Sequence, residues 1–182
     1  MPAIAEEYPE AMPLAFSTID TPVGTLLLVS FQDRLVRVSY IDSDSDVNDE
    51  LMFLSHYFRT EPVEYSRVLM RAISEFDEYF SGERMHFTVP HELSLVHGFQ
   101  REVLKQVIDV PYGETASYKE LAIASGRPNA FRAAGSACGA NPLLLVIPCH
   151  RIVKSDGSIG SYGTAGVWRK QFLLELEQRV SD

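Results

Sequence analysis

The chain has 182 residues, of which 46% are hydrophobic and 23% are charged, and its formal net charge is −9 at pH 7. This composition is that of an ordinary globular protein, and the lack of an apolar stretch of about 18 residues excludes a transmembrane helix. Residues 1–7 are acidic and lack the basic and apolar regions of a secretory signal, so we expect a cytoplasmic protein.

The charges are divided unevenly between the two halves. Residues 1–90 carry 6 Lys or Arg against 16 Asp or Glu, whereas residues 91–182 carry 10 against 9. A polyanion would be repelled by the first half and would meet the second. This distribution is consistent with nucleic-acid binding, but a patchy surface without such a role would look similar.

The first half begins with β-rich sequence. Residues 25–30 and 35–40 have the composition of strands, and residues 32–34 supply the turn between them. The alternating Asp and Ser of residues 42–46 predict a solvated, mobile loop.

Helical patterns follow the loop. They cover residues 50–57, 66–80 and 99–108, with apolar side chains at helical spacing. Residues 90–92 are the expected linker between two domains, which we place at residues 1–92 and 93–182.

The second half contains signals for two short helices. Ser117 and Glu120 form a capping box that opens a helix at residues 118–124, and Asn129 is expected to cap a helix at residues 130–138. Two short helices around a Gly-Pro turn suggest a helix-turn-helix.

The second of these helices is rich in Ala, Gly and Ser. Such a face permits close approach either to a neighbouring helix or to a DNA groove, and both interpretations are open. Arg132, which projects from this face of small residues, favours DNA.

Cys149 is the leading candidate for a functional side chain. It follows the apolar run 143–147, which we expect to be a buried strand that Pro148 ends. His150 and Arg151 follow directly, and neighbouring cations lower the pKa of a thiol. The alternative is that Cys149 is a small buried core residue without a functional role.

Cys138 is the second of the two cysteines. The spacing alone leaves a disulfide open, but two cysteines in a chain without a secretory signal read better as reduced thiols. Nothing resembles the cysteine spacing of a metal site, so we expect no metal.

Several motifs occur in order along the second half. They are FQR at 99–101, VPYGET at 110–115, SY at 117–118, NP at 141–142, IPCHR at 147–151 and LLELE at 173–177. Together they resemble the O6-alkylguanine-DNA alkyltransferase family, strongly over residues 94–178 and loosely before them.

The resemblance implies a fold and an activity. The fold is α+β: a small ribonuclease-H-like sheet-plus-helix domain, then a winged-helix-like helix-turn-helix domain that binds DNA and accepts the alkyl group. The activity is stoichiometric, irreversible repair of O6-alkylguanine in double-stranded DNA by a monomer without a cofactor or a membrane partner.

The resemblance also implies the chemical roles. Cys149 attacks the alkyl carbon as a thiolate, and His150 takes its proton through a water because adjacent side chains of an extended segment point apart. Glu177 orients His150. We choose Glu177 over Glu175 because Glu177 follows Leu173 by one helical turn.

Recognition of the lesion requires the nucleotide to be flipped out of the duplex. By the same resemblance, Tyr118 crowds the 3′ phosphate and stabilises the leaving guanine, Arg132 fills the gap, and Asn141 links the recognition helix to the active-site turn. The further DNA contacts that we expect are Gln100, Lys119, Arg127 and Ser155. The expected lining of the alkyl pocket is Pro148, Ile152, Tyr162 and Gly163.

Two other functions compete with repair. A lesion-binding sensor of the same family would lack the nucleophile, so Cys149 argues against it. A cysteine hydrolase using Cys149 and His150 would give no reason for the helix-turn-helix. The loop at residues 161–166 departs from the family pattern, which leaves the range of accepted alkyl groups open. The sequence also leaves open whether O4-alkylthymine is repaired.

Overall fold

A four-stranded sheet organises the first half of the chain in the computed structural model, which describes residues 14–64 and 66–181. The strands are β1 (Leu14–Thr21), β2 (Gly24–Phe31), β3 (Arg34–Tyr40) and β4 (Pro62–Val63). Their order in the sheet is β3-β2-β1-β4, and all neighbouring strands are antiparallel except β1 and β4, which are parallel. The acidic start of the chain, residues 1–7, lies outside the described residues.

One helix packs on each face of this sheet. Alternate strand residues point to opposite faces, so the neighbours Leu27 and Leu28 belong to different cores. Leu27 packs with α1 (Asp44–Phe58), and Leu28 packs with α2 (Arg67–Phe80). The apolar residues that recur at helical spacing in the sequence of α2 therefore form its buried face.

One strand of this half was not predicted, and one prediction is wrong. Strand β1, with the sequence LAFSTIDT, mixes polar and apolar residues and lies outside the segments predicted as strands. The acidic run is not a loop: α1 begins at Asp44, and Ser43 caps it in a capping box with Asp46. Aspartates in the first turn are favoured by the helix dipole, which explains why the acidic run forms a helix.

The second half contains the predicted pair of short helices. Helix α4 (Tyr118–Ala124) starts at the Ser117–Glu120 capping box, as predicted. Helix α5 (Phe131–Gly139) is capped by Ala130 without a side-chain bond, so the cap expected at Asn129 is wrong. The remaining elements are α3 (Gly98–Ile108), β5 (Ala116–Ser117), β6 (Ile152–Val153) and α6 (Val167–Ser181). The fold is α+β, as predicted.

The apolar run before Cys149 is a tight turn and not a strand. The Leu143 carbonyl accepts from Ile147 N at 2.9 Å, and Leu145 has a φ of 68°, which no strand residue adopts. Cys149 then opens a 3-10 turn, Cys149–Arg151. The nucleophile candidate therefore lies on a turn, in a buried position.

The outer edge of β3 pairs with the expected linker and with the second half of the chain. Leu35 N donates to Pro90 O at 2.8 Å, and Val38 N donates to Pro142 O at 2.8 Å. The residues that we expected to form a linker are thus hydrogen-bonded to the sheet. No helix within residues 14–64 and 66–181 is long and apolar enough to cross a membrane.

Candidate functional site

Asn141 holds the turn on which Cys149 lies. Its Nδ2 donates to Ile147 O at 2.8 Å and to Cys149 Sγ at 3.2 Å, while its Oδ1 accepts from Leu143 N at 3.0 Å. Both Asn141 and Cys149 are buried. A shorter or apolar side chain at Asn141 would leave several buried backbone groups unsatisfied, which explains why an amide occupies this place.

A small cavity lies beside the Cys149 thiol. Its volume is about 10 Å³, about the room that one water molecule needs. Of the predicted pocket residues, Tyr162 and Gly163 line it, whereas Pro148 and Ile152 are not among the lining residues. The lining comprises Tyr118, Gly135, Cys138, Gly139, Cys149, Ser161, Tyr162 and Gly163.

The resting thiol is neutral. Burial raises the pKa of Cys149 to about 11, although the Asn141 hydrogen bond and the Lys170 charge act in the opposite direction. The sequence-based expectation that His150 and Arg151 lower this pKa is therefore wrong. Their side chains turn away from the sulfur and bind a carboxylate instead.

That carboxylate belongs to Glu177, which is buried in the middle of a hydrogen-bond network. Its Oε1 lies 2.7 Å from His150 Nε2, and its Oε2 accepts from Arg151 Nε at 2.9 Å. Tyr79 of α2 donates to Oε1 at 2.8 Å, and Gly113 N donates to Oε2 at 3.1 Å. His150 and Arg151 lower the pKa of Glu177 to about 2, against the effect of burial. The group is thus a carboxylate at neutral pH.

His150 is held as a neutral ring with a defined tautomer. Burial lowers its pKa, and an ionised Glu177 can only accept, so Nε2 carries the proton. Nδ1 is then the acceptor, and it is buried without a hydrogen-bond partner among the described residues. This arrangement leaves a basic nitrogen available one residue from the thiol.

Lys170 is a member of the site that the sequence analysis missed. Its side chain is fully buried, and Nζ donates to Ile152 O and, at 3.3 Å, to Ser161 O. It also lies 3.5 Å from the Tyr118 hydroxyl. Burial lowers the pKa of Lys170 to about 8. The helical spacing to Leu173 and Glu177 was the signal that could have placed it on the buried face of α6.

The predicted recognition residues lie on the second half, at different depths. Arg132 is exposed on α5, with its guanidinium 5.9 Å from the Phe131 ring centroid. Lys119 and Ser155 line one open groove of about 450 Å³ between α4 and the turn after β6. Arg127 is exposed over the Phe99 ring.

Gln100 is partly buried and serves the fold. Its Nε2 donates to Ala140 O at 3.2 Å, at the carboxyl end of α5. The structure therefore gives Gln100 a protein partner, and its contact with DNA stays a prediction. Within residues 14–64 and 66–181, no group of three or more His, Cys, Asp or Glu is placed to hold a metal ion.

Comparisons with known proteins match both halves of the chain. Residues 14–93 match the family model described as 6-O-methylguanine DNA methyltransferase, ribonuclease-like domain, and residues 98–179 match the one described as its DNA binding domain. A methylated-DNA–protein-cysteine methyltransferase of Mycolicibacterium paratuberculosis is 36% identical, over 92% of this chain and 94% of the relative. One from Methanosarcina barkeri is 32% identical, over 90% and 96%.

Solved structures give the same match. The crystal structure of the O6-methylguanine methyltransferase of Mycobacterium tuberculosis aligns with a TM-score of 0.78 at 32% identity, over 93% of this chain and 95% of that one. A structure of the M. tuberculosis protein in complex with DNA aligns with a TM-score of 0.77 at 34% identity, over 91% and 94%.

Proposed function

The chain belongs to the 6-O-methylguanine DNA methyltransferase family, and from this premise we propose which residues carry out its reaction and how. The protein repairs DNA directly, by transferring the alkyl group of an O6-alkylguanine to one of its own cysteines. We assign that cysteine as Cys149. The observation that carries the assignment is the placement of its thiol in a cavity with the buried pair His150 and Glu177 behind it.

The transfer is a displacement at a saturated carbon. The Cys149 sulfur forms a bond to the alkyl carbon while the bond from that carbon to O6 breaks, and the guanine leaves with the electron pair. The thiol proton goes to Nδ1 of His150 through one bridging water. Successive side chains of a 3-10 turn diverge by about 120°, so a water is needed here as it would be on an extended segment.

Tyr118 and Lys170 stabilise the leaving group. Burial raises the pKa of Tyr118 to about 12, so its hydroxyl stays protonated and donates a hydrogen bond to the departing guanine. Lys170 lies 3.5 Å from this hydroxyl and provides positive charge where the negative charge develops. The resulting imidazolium of His150 is stabilised by Glu177.

The helix-turn-helix brings the nucleotide to this site. Arg132, exposed on α5, enters the duplex and replaces the flipped nucleotide, while Lys119, Arg127 and Ser155 contact the backbone. The lesion-binding sensor is the weaker alternative because Cys149 is present and buried in a formed site. The hydrolase is weaker because it does not require this DNA-binding helix pair.

We further propose that the chain works in the cytoplasm as a monomer and that its domains are residues 1–92 and 93–182. Both cysteines are free, as expected of a reducing compartment. The family models, which meet between residues 93 and 98, support this division.

Duplex DNA carrying a labelled O6-methyl group tests the assignment. The label should appear on Cys149 in a peptide map, and Cys149→Ser should bind the lesion without accepting the label. Cys138→Ala is the matched control and should retain transfer, since no basic side chain of residues 14–64 and 66–181 is hydrogen-bonded to the Cys138 thiol. Label on Cys138, or transfer by Cys149→Ser, would contradict the assignment.

A further inference from the structure

Arg169 is a buried cation that connects the first half of the chain to the second. Its Nε donates to Val23 O at 2.7 Å, in the turn between β1 and β2, and its Nη2 lies 3.3 Å from Asp42 Oδ1. The guanidinium also stacks 4.4 Å from the centroid of the Tyr40 ring at the end of β3. Only 9% of Arg169 is exposed, so these contacts fix its position.

The same guanidinium holds the loop beside the nucleophile. Nη1 of Arg169 donates to Ala165 O at 2.8 Å, and Ala165 N in turn donates to Tyr162 O at 3.0 Å. Tyr162 lines the Cys149 cavity and packs edge-on against Tyr40, with 6.4 Å between the ring centroids. A continuous set of contacts therefore runs from the first half of the chain to the wall of the cavity.

A second and larger cavity lies on the other side of this loop. It measures about 500 Å³, and it shares Cys138, Gly139, Tyr162 and Gly163 with the small cavity at Cys149. Its remaining wall is polar and includes Arg37, Glu50 and Arg169. The two cavities are thus neighbours of very different size.

Two glycines separate the cavities by direct contact of their backbones. A Cβ atom on Gly163 would lie 3.2 Å from Gly139 O, and Gly163 has a φ of 53°. Glycine is the residue that permits both this approach and this backbone conformation. While the loop is held in place, the cavity beside Cys149 measures about 10 Å³, which is room for one small group such as a water molecule or a methyl group.

We propose that Arg169 is a positioning residue through which the first half of the chain holds the 161–166 loop against Gly139 and thereby restricts transfer to small O6 substituents. The inference rests on the proposed function, because the substituent must lie beside Cys149 during attack. When the loop moves away from Gly139, the tail of a longer alkyl group enters the larger cavity. Contacts with the first half of the chain thus set the size limit on the O6 substituent.

Single-turnover transfer from two duplexes of identical sequence tests this inference, one with O6-methylguanine and one with O6-butylguanine. Arg169→Ala should release the loop, which slows methyl transfer and admits the butyl group, so that the butyl-to-methyl ratio of rate constants rises about tenfold, because a displacement of about 1 Å is enough for changes of this size. Arg169→Lys should give a smaller rise. Arg179→Ala, an exposed position on the same helix, is the control and should leave the ratio unchanged.

The ratio distinguishes positioning from folding. Loss of folded protein lowers the burst amplitude for both substrates equally and does not change the ratio of rate constants. Tyr40→Leu provides a second, independent variant, because it removes the ring that contacts both Arg169 and Tyr162, and its ratio should rise as well. An unchanged ratio in both variants would overturn the inference. Absence of any transfer by the unmodified protein would instead overturn the proposed function, and the inference with it.

Discussion

Glu177 Oε1 and His150 Nε2 lie 2.7 Å apart, with 1% and 0% of their side chains exposed. The pair is completed by Arg151, whose Nη2 donates to the same Oε1 at 3.0 Å. Two positive or potentially positive groups thus share one carboxylate, and the carboxylate decides which nitrogen of His150 is free to accept a proton. In the proposed relay, that nitrogen receives the proton of the Cys149 thiol.

Glu177→Gln should therefore slow transfer to Cys149 by about a hundredfold or more, because the neutral amide no longer fixes the tautomer of His150 or stabilises its imidazolium. Glu175→Gln is the matched control. Glu175 is about half exposed and pairs with Arg179 at 3.7 Å, so its change should have little effect. Single-turnover rates measured at neutral pH check both variants, and a larger effect of Glu175→Gln would reverse the choice between the two glutamates.

Glu177 should also stabilise the folded protein in a pH-dependent way. Its pKa of about 2 lies below the ordinary value of 4.5, which corresponds to about 3 kcal/mol. A lowered carboxyl pKa stabilises the fold above about pH 4.5, and this stabilisation is lost as the pH falls toward 2. The free energy of unfolding, measured with denaturant, should differ between wild type and Glu177→Gln by less at about pH 3 than at about pH 6. A difference independent of pH would contradict the linkage.

Lys170 should act in the alkaline range. Its pKa of about 8 lies below the ordinary 10.5, so between these values the unfolded chain binds the proton that the folded protein has released. Stability then rises with pH across this window. As the pH rises from 8 to 10.5, the melting temperature of the wild type should increase relative to that of Lys170→Met. A gap that does not change across this window would mean that Lys170 keeps its proton in the folded protein as it does in the unfolded chain.

Arg132→Ala should separate nucleotide flipping from chemistry. Extruding a nucleotide costs a few kcal/mol, and a side chain that fills the gap offsets part of that cost, so repair of duplex DNA should fall by about tenfold or more. Reaction of Cys149 with the free base O6-methylguanine, which needs no extrusion and carries a group small enough for the cavity, should be unchanged. Tyr118→Phe should impair both substrates, the duplex more strongly. Equal losses on both substrates for Arg132→Ala would mean that Arg132 supports the fold.

Each molecule should react once, and alkylation by a group larger than methyl should lower its stability. The thioether has no leaving group at neutral pH, so product should stop at a burst equal to the number of active molecules. The cavity at Cys149 is about 10 Å³, so groups larger than methyl overpack it by about 1–3 kcal/mol, or roughly 2–4 °C in Tm for each kcal/mol. Calorimetry of the alkylated protein checks the shift, and DNA should be released more readily. Steady turnover would restore the hydrolase as an alternative.

Features encoded by neighbouring residues could be predicted from the sequence. The capping box of Ser117 and Glu120 was predicted correctly because its partners are three residues apart. The run before Cys149 was not, because apolar composition predicts burial and does not distinguish a strand from a turn. Here the Asn141 side chain replaces the strand hydrogen bonds, and Leu145 adopts a positive φ.

The charge that acts on the Cys149 thiol could not be predicted from its neighbours in the sequence. Arg151 is two residues from Cys149, yet its guanidinium binds Glu177 and Val110 O. Lys170, which follows Cys149 by 21 residues, is the cation whose charge lowers the pKa of the thiol. Such relationships come from packing of α6 against the turn, which a linear pattern does not contain.

The hydrogen bonds on the outer edge of β3 bear on how the chain can be divided. Leu35 is paired with residues 90–92 and Val38 is paired with Pro142, so an edge that would otherwise be open is covered by the expected linker and by the second half. A fragment that ends before residue 90 would expose this apolar strand as a template for intermolecular pairing. We expect such a fragment to aggregate unless the half that carries Cys149 covers this strand.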